Sequence, residues 1–194
     1  MSTATGGRAR RIYGSHAPRG SPVKPPRLRG ADEKSMLLPR VYIETSIPSF
    51  YCGSRTDPES VARRNWTQHW WDFKRENYEL FTGSAVLEEL ARWDSPFRSA
   101  ALSLLKDVPL LPTEPPGAEI VETYIRHSVM PTDPSGDALH LALASYHKCE
   151  FLVTWNCKHL ANAHKFRHIR RINTLLGLYV PALVTPLELL GQEP

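Results

Sequence analysis

Four polar side chains in well-separated segments have the residue types that could hold a divalent cation. Glu44 ends one predicted strand, Asn156 follows another, and Glu89 lies in a helix behind a third. Asp137 begins the helix that leads into the strand before Asn156. Because function gathers at the carboxyl ends of strands in an open α/β sheet, these groups could converge at one rim. Carboxylate oxygens suit Mg²⁺ or Mn²⁺, and such an ion can polarise a phosphodiester and activate a water.

Each of the three acids also has a purely structural interpretation. Glu44 could cap a neighbouring helix from the end of its strand, and Glu89 with Glu88 fits a solvated helix face. Asp137 follows Pro134-Ser135-Gly136 and fits a helix N-cap. The residues taken alone therefore leave both interpretations open.

Strands alternate with helices along the chain from Val41 onward. Short apolar runs predict five strands, at 41–45, 78–82, 108–111, 150–155 and 179–184. Helical spacing predicts helices at 58–77, 96–106, 118–127, 137–147 and 167–176, and a further helix with Ser84 as its N-cap. Strands separated by helices imply a parallel sheet that is covered on both faces. We therefore predict a three-layer α/β/α fold with a central, mostly parallel sheet over residues 40–194.

The first 39 residues differ in composition from the rest of the chain. Ten of them are Gly or Pro, and with so few large apolar side chains the segment is predicted to be disordered. Residues 1–35 contain eight Lys or Arg against two acids, which is six positive charges net. Since the whole chain carries +4, residues 36–194 carry −2. We expect Met36 to be the natural start, with a nonspecific nucleic-acid-binding tail as the alternative.

Composition also disfavours several classes of protein. No stretch of about 18 apolar residues is present, so no transmembrane helix is predicted. Three cysteines cannot make a disulfide framework, which indicates a reducing compartment and a cytoplasmic location. Cys149 and Cys157 lie at opposite ends of one predicted strand, too far apart to share a zinc ion.

Four short motifs, taken in order, resemble those of the PIN-domain nucleases. They are ETS at 44–46, VLEEL at 86–90, DALHLA at 137–142 and LVTWN at 152–156. Their order and spacing are similar to those of the VapC-type toxins of type II toxin–antitoxin pairs. The segment WNCKHLANA at 155–163 resembles one bacterial PIN subfamily in particular. The resemblance covers roughly residues 40–190 and implies a PIN-like fold.

The resemblance implies a Mg²⁺- or Mn²⁺-dependent endoribonuclease that cleaves RNA phosphodiester bonds with an activated water. Glu44 then takes the place of the first-strand Asp, Glu89 the helix Glu and Asp137 the central Asp. Glu44 and Asp137 are expected to bind the ion, and Glu89 is expected to bind it directly or through a water, or to orient the attacking water. Asn156 falls where many members carry a fourth acid. With three carboxylates instead of four, the centre would attract cations less strongly, which favours one ion over two. A poorly active nuclease is the alternative.

Other groups are expected to support this centre. Thr45, Ser46 and Asn156 would position waters or a phosphate oxygen by hydrogen bonds, and Thr154 is expected to support the ligands from beside them. The histidine at 140 is expected to be packed, with local hydrogen bonds. The implied partners are an RNA substrate, an antitoxin protein and a second copy of the chain, with no membrane.

Basic residues that could contact RNA follow the last apolar strand. They are Lys158, Lys165, Arg167, Arg170 and Arg171. They could hold an RNA backbone by phosphate contacts, although a solvated helix face is the alternative. Arg55, Arg63 and Arg64 form a smaller candidate patch.

Three tryptophans lie at helical spacing, at positions 66, 70 and 71. They could stack on unpaired bases, but we predict core or oligomer-interface positions for them. Three functions stay open on the sequence: a nuclease toxin, a non-catalytic PIN-like module that binds RNA or protein, and an RNA-processing nuclease without an antitoxin.

Overall fold

The computed structural model describes residues 38–130 and 136–191. The predicted tail at 1–39 lies outside the described residues except for its last two positions, and so does Met36. The described helices and strands all belong to the segment with the alternating pattern.

Five parallel strands form the central sheet. They are β1 (Arg40–Ile43), β2 (Glu79–Gly83), β3 (Leu110–Leu111), β4 (Phe151–Val153) and β5 (Ala182–Val184). The strand order is β3-β2-β1-β4-β5, and every pairing in it is parallel. Strands β2 and β3 are added in turn on one side of β1, and β4 and β5 are then added in turn on its other side. The direction of the strand order therefore reverses between β1 and β4, which creates a crevice at their carboxyl ends.

Helices make the connections between the strands, and the predicted three-layer α/β/α class is confirmed. They are α1 (Ser46–Cys52), α2 (Pro58–Phe73), α3 (Ser84–Arg92), α4 (Arg98–Leu104), α5 (Pro115–Arg126), α6 (Asp137–Tyr146), α7 (Ala163–Leu175) and α8 (Pro186–Leu189). The sequence pattern did not predict α1 or α8. Helix α8 has only four residues, too few to display a helical period, and α1 contains Pro48, a residue that normally argues against a helix.

Several helix boundaries also differ from the predictions. The predicted helix at 58–77 ends at Phe73 and is followed by a 3₁₀ turn over Arg75–Asn77. Gly83, not Ser84, is the N-cap of α3. Helix α7 starts at Ala163, four residues before the predicted start, because the Asn162 side chain caps it by accepting from the backbone N–H of His164 at 3.0 Å.

The tryptophans of α2 divide between core and surface. Trp70 and Trp71 are buried in the core, so the core prediction is confirmed for these two. Trp66 is 37% exposed, and its ring stacks on that of Trp155 with 6.0 Å between centroids. Helix α2 is thus anchored beside the carboxyl end of β4.

A buried polar network joins α6 to α5 and α7. Tyr124 on α5 donates its hydroxyl to Asn173 Oδ1 at 2.6 Å, and Asn173 Nδ2 donates to Ser145 Oγ on α6 at 2.9 Å. The burial of the Tyr124 phenol raises its pKa to about 12. The network fixes α6, the helix that carries Asp137, against its neighbours.

The three cysteines are free thiols, as their number and spacing predicted. Within 38–130 and 136–191, none of the helices combines the length and the apolar character that crossing a membrane requires.

Gly83 provides a test of how tightly the sheet packs behind the crevice. A Cβ at Gly83 would lie 2.7 Å from Tyr42 Oη and 2.8 Å from Leu143 Cδ1, and both side chains are buried. We expect Gly83→Ala to lower the free energy of unfolding by about 1–3 kcal/mol through overpacking, as measured by urea denaturation. In Gly117→Ala, the matched control, the new Cβ meets only Thr113 Cγ2 at 3.8 Å, so this substitution in α5 should be neutral or slightly stabilising. Equal losses in the two variants would contradict this account of the packing.

Candidate metal centre

Two carboxylates and one imidazole meet at the crevice between β1 and β4. Glu44 directly follows β1, Glu89 lies on α3 behind β2, and His140 lies on α6 before β4. Their ligand atoms are all within 4.8 Å of one another. Residues from three distant segments thus form one compact set of possible ligands for a cation.

Glu44 is held by hydrogen bonds from the segments that follow β1 and β4 at the crevice. It is 6% exposed, and its Oε2 accepts from the Ser46 backbone N–H at 3.0 Å and from Thr154 Oγ1 at 2.7 Å. The Ser46 hydroxyl donates to the same oxygen and accepts from the Trp155 N–H at 2.8 Å. All three donors act on one oxygen, which leaves the other for a cation.

Glu89 is half-buried and has a partner at each oxygen. Its Oε1 lies 3.3 Å from His140 Nε2, and its Oε2 accepts from the Thr45 hydroxyl. Burial by itself raises the pKa of Glu89. The hydrogen bond and charge of His140, with the Thr45 hydrogen bond, outweigh burial and bring the pKa below its usual value.

His140 is buried, as expected from the sequence, but the expectation of local hydrogen bonds is wrong. Its ring nitrogens contact Glu89 on α3 and Tyr42 on β1, with 3.0 Å between Tyr42 Oη and His140 Nδ1. Burial lowers the pKa of His140, but the Glu89 hydrogen bond and the charges of the neighbouring acids raise it above the usual value. The signal that could have found this role is its position three residues after Asp137, which puts both on one helix face.

Asp137 lies beside this set rather than within it. The N-cap of α6 is Gly136 and Asp137 is the first helical residue, so the capping interpretation does not hold. Asp137 Oδ1 accepts from Asn156 Nδ2 at 2.8 Å, and Asn156 Oδ1 accepts from the His159 N–H at 3.1 Å. The pKa of Asp137 is raised, mainly by burial, although the charges of His159 and His140 and the Asn156 hydrogen bond act against this.

The structure therefore brings together most of the residues that the sequence singled out. Glu44 and Glu89 share one set of ligand atoms, with His140 as the third member instead of Asp137. Thr45, Ser46 and Thr154 each contact a carboxylate directly. Asn156 bonds to the Asp137 carboxylate.

An open cleft of about 590 Å³ borders the acidic residues. Glu44 and Glu89 line it, so a cation and a larger ligand have access to both. Arg55 and Arg64 line it too. Charges of both signs therefore face the same space.

The predicted RNA-contacting patch lies elsewhere. Lys158, Arg167, Arg170 and Arg171 are exposed, while Lys165 Nζ donates to the backbone carbonyl of Val129 at 3.3 Å. None of these five residues is among those lining the cleft. Arg167 and Arg170 instead border a separate groove between α7 and β5.

No family model, curated protein or solved structure matches this chain. The relationship to the PIN-domain nucleases thus stays a prediction that rests on the motifs.

Asn156→Asp tests the contact between Asn156 and Asp137. The substitution replaces a hydrogen-bond donor with a second carboxylate, so at pH 7 we expect it to lower the free energy of unfolding by about 1–3 kcal/mol. The loss should shrink as the pH falls towards 5, because repulsion raises the pKa of the folded pair and the folded state then takes up the extra proton. The measurement is denaturant unfolding at several pH values without divalent cations.

Asn156→Ala is the control for this experiment. It removes the donor without adding a charge, so its loss of stability should change less with pH. If the two variants showed the same pH dependence, the carboxylate of Asp137 would not lie against position 156 as described.

Proposed function

We propose that this chain is a metal-dependent endoribonuclease of the PIN-like type. The observation that carries the proposal is the meeting of Glu44, Glu89 and His140 at the carboxyl ends of a parallel sheet, with ligand atoms within 4.8 Å. The motifs at 44–46, 86–90, 137–142 and 152–156 support it. The open cleft beside the carboxylates is consistent with a polymeric substrate, because a single strand of RNA can enter it.

The donor set fits a divalent cation. Carboxylate oxygens suit Mg²⁺ and Mn²⁺, whereas imidazole is a better ligand for the later transition metals. Glu44 and Glu89 would hold the ion, and His140 Nε2 would join them once it gives up its proton. The mixed set therefore favours Mn²⁺ over Mg²⁺. A bound ion would stabilise charge on a phosphodiester and lower the pKa of a coordinated water.

The surrounding residues supply orientation and proton transfer. Ser46 and Thr154 hold one Glu44 oxygen, so the direction of the carboxylate is set before a ligand arrives. Asp137, positioned by Asn156, would accept a proton from the attacking water. Its raised pKa makes it a better proton acceptor than an ordinary aspartate.

A second candidate is a non-catalytic module that uses the same fold to bind RNA or protein. The Glu89–His140 contact at 3.3 Å favours it, because a protonated His140 would neutralise part of the acidic set without an ion. Within the nuclease proposal, a toxin with an antitoxin partner and an RNA-processing enzyme without one are both retained. A toxin would be expected to receive a basic side chain of its antitoxin in the acidic crevice.

Cleavage of a labelled RNA tests the nuclease proposal. We expect cleavage with Mn²⁺ or Mg²⁺, and a loss of at least about 100-fold for Asp137→Asn and for Glu44→Gln, since each removes a charged group from the centre. Asn156→Ala should lose less, because it removes no charge. Glu88→Gln is the matched control: Glu88 is exposed on α3 next to Glu89 and should keep full activity. If wild type and Asp137→Asn cleaved at the same rate, the nuclease proposal would fail.

Thermal stability with added cations tests the ligand set without any RNA. Mn²⁺ that binds the folded state should raise the melting temperature, and Mg²⁺ should do so less at equal concentration. His140→Gln should reduce the Mn²⁺ shift more than the Mg²⁺ shift, because only the transition ion gains strongly from imidazole. A protein that binds RNA but is stabilised by neither ion would fit the non-catalytic module instead.

A further inference from the structure

We propose that the cleft beside the acidic set binds an unpaired stretch of RNA, with Arg55 and Arg64 on a backbone phosphate and with Trp93 and Phe97 against a base. This inference rests on the proposed function for the identity of the ligand as RNA. It places substrate binding in the cleft and not on the basic residues of α7.

The size and position of the cleft suit part of a nucleotide chain. Its volume of about 590 Å³ is within the range of pockets that take small organic ligands. It is open to solvent along the surface and lined by Glu44 and Glu89 at the acidic set. An RNA strand bound in the cleft would thus pass directly beside the proposed metal ligands.

Arg64 is held in place on the wall of the cleft. Its Nη1 donates to the backbone carbonyls of Gly53 and Arg55, each at 3.1 Å. A guanidinium has five N–H donors, so further donors stay available for a ligand. Because this side chain is already ordered, it loses little conformational entropy when it binds a phosphate.

Arg55 provides a second cationic group at the same wall and is exposed. Among the described residues, the ion pairs of the chain involve other side chains. Asp94 is an exposed acid that also lines the cleft. The pKa of Asp57 is lowered by hydrogen bonds from Ser60 and also by the charge of Arg55. Since Arg55 is in none of the ion pairs among the described residues, its guanidinium can bind phosphate oxygens.

Aromatic side chains complete the lining. Trp93 and Phe97 come from the connection between α3 and α4, and Phe50 comes from α1. All three are partly exposed. Aromatic rings stack on the faces of bases, and those faces are free only where the strand is unpaired. The lining therefore favours single-stranded RNA over a duplex.

The positive and negative side chains that line the cleft would have separate roles in RNA binding. A phosphate is attracted by the two arginines and repelled by Glu44 and Glu89 unless a cation lies between. A bound strand would therefore place one phosphate at the arginines and a neighbouring phosphodiester near the acidic set. Such an arrangement positions the chain without reading its sequence.

Fluorescence anisotropy of a short fluorescein-labelled single-stranded RNA, titrated with the full chain in EDTA, tests the inference independently of cleavage. Arg55→Gln should weaken binding roughly fivefold to tenfold and lower the dependence of log affinity on log salt by about one. Arg55 is exposed, so this variant should fold normally, and circular dichroism melting checks that it does. Trp93→Ala should weaken binding at least about fivefold by loss of stacking.

Arg167→Gln is the matched control, since it makes the same change at an exposed arginine of α7 outside the cleft. It should leave the affinity nearly unchanged. If Arg167→Gln weakened binding and Arg55→Gln did not, the cleft proposal would be overturned. It would also be overturned if RNA bound neither to the wild type nor to Glu44→Gln, the variant that removes one of the charges repelling phosphate in the absence of a cation. An unlabelled RNA duplex should compete much less well than the single strand, and equal competition would overturn the preference for unpaired RNA.

The outcomes separate this inference from the proposed function. Arg55→Gln and Trp93→Ala could weaken RNA binding as expected while the wild type cleaves no RNA with Mn²⁺ or Mg²⁺. That result would remove the nuclease proposal and keep the cleft proposal. Cleavage that is unaffected by Arg55→Gln and Trp93→Ala under subsaturating RNA would remove the cleft proposal and keep the nuclease.

Discussion

The crevice is organised around one buried carboxylate, that of Glu44. A carboxylate with 6% exposure is unfavourable unless its oxygens are paired or bound to a cation. The chain meets this requirement with donors from the two sides of the crevice, Ser46 after β1 and Thr154 after β4. Since the Ser46 hydroxyl also accepts from the Trp155 N–H, the same contacts tie the two strand ends together.

The strand order makes this arrangement possible. The central strand β1 pairs with β2 on one side and β4 on the other. The segments that follow these strands therefore lie at the same edge of the sheet, although they are separated by about 40 to 110 residues in sequence. Helix α6, which precedes β4 in the chain, brings Asp137 and His140 to the same edge. A centre of this kind needs no insertion or special loop, because parallel topology alone gathers the strand ends.

Charge balance at the crevice involves His140 as much as the acids. Without a cation, the negative charges of Glu44, Glu89 and Asp137 favour the protonated imidazole. With a cation, the same imidazole would become a ligand and the acids would be neutralised by the metal instead. The Tyr42 hydroxyl lies 3.0 Å from His140 Nδ1, and this contact would hold the ring in position with or without a cation. The state of the buried His140 thus distinguishes the two proposals. A protonated imidazole fits the non-catalytic module, and a metal-bound imidazole fits the nuclease.

The fold class follows from the amino-acid pattern alone, because five apolar runs separated by amphipathic helices permit little except a covered parallel sheet. The pattern also identified Glu44, Glu89, Asp137 and Asn156 as groups near the strand ends. Helix α1 was missed because Pro48 lies within it, and proline normally argues against a helix. The three-dimensional arrangement was needed to find that His140 joins Glu44 and Glu89 and that Asp137 bonds to Asn156. It was also needed to find that Arg55 and Arg64 line the cleft and the basic residues of α7 do not. These outcomes depend on contacts between residues far apart in the chain, which periodicity and spacing do not encode.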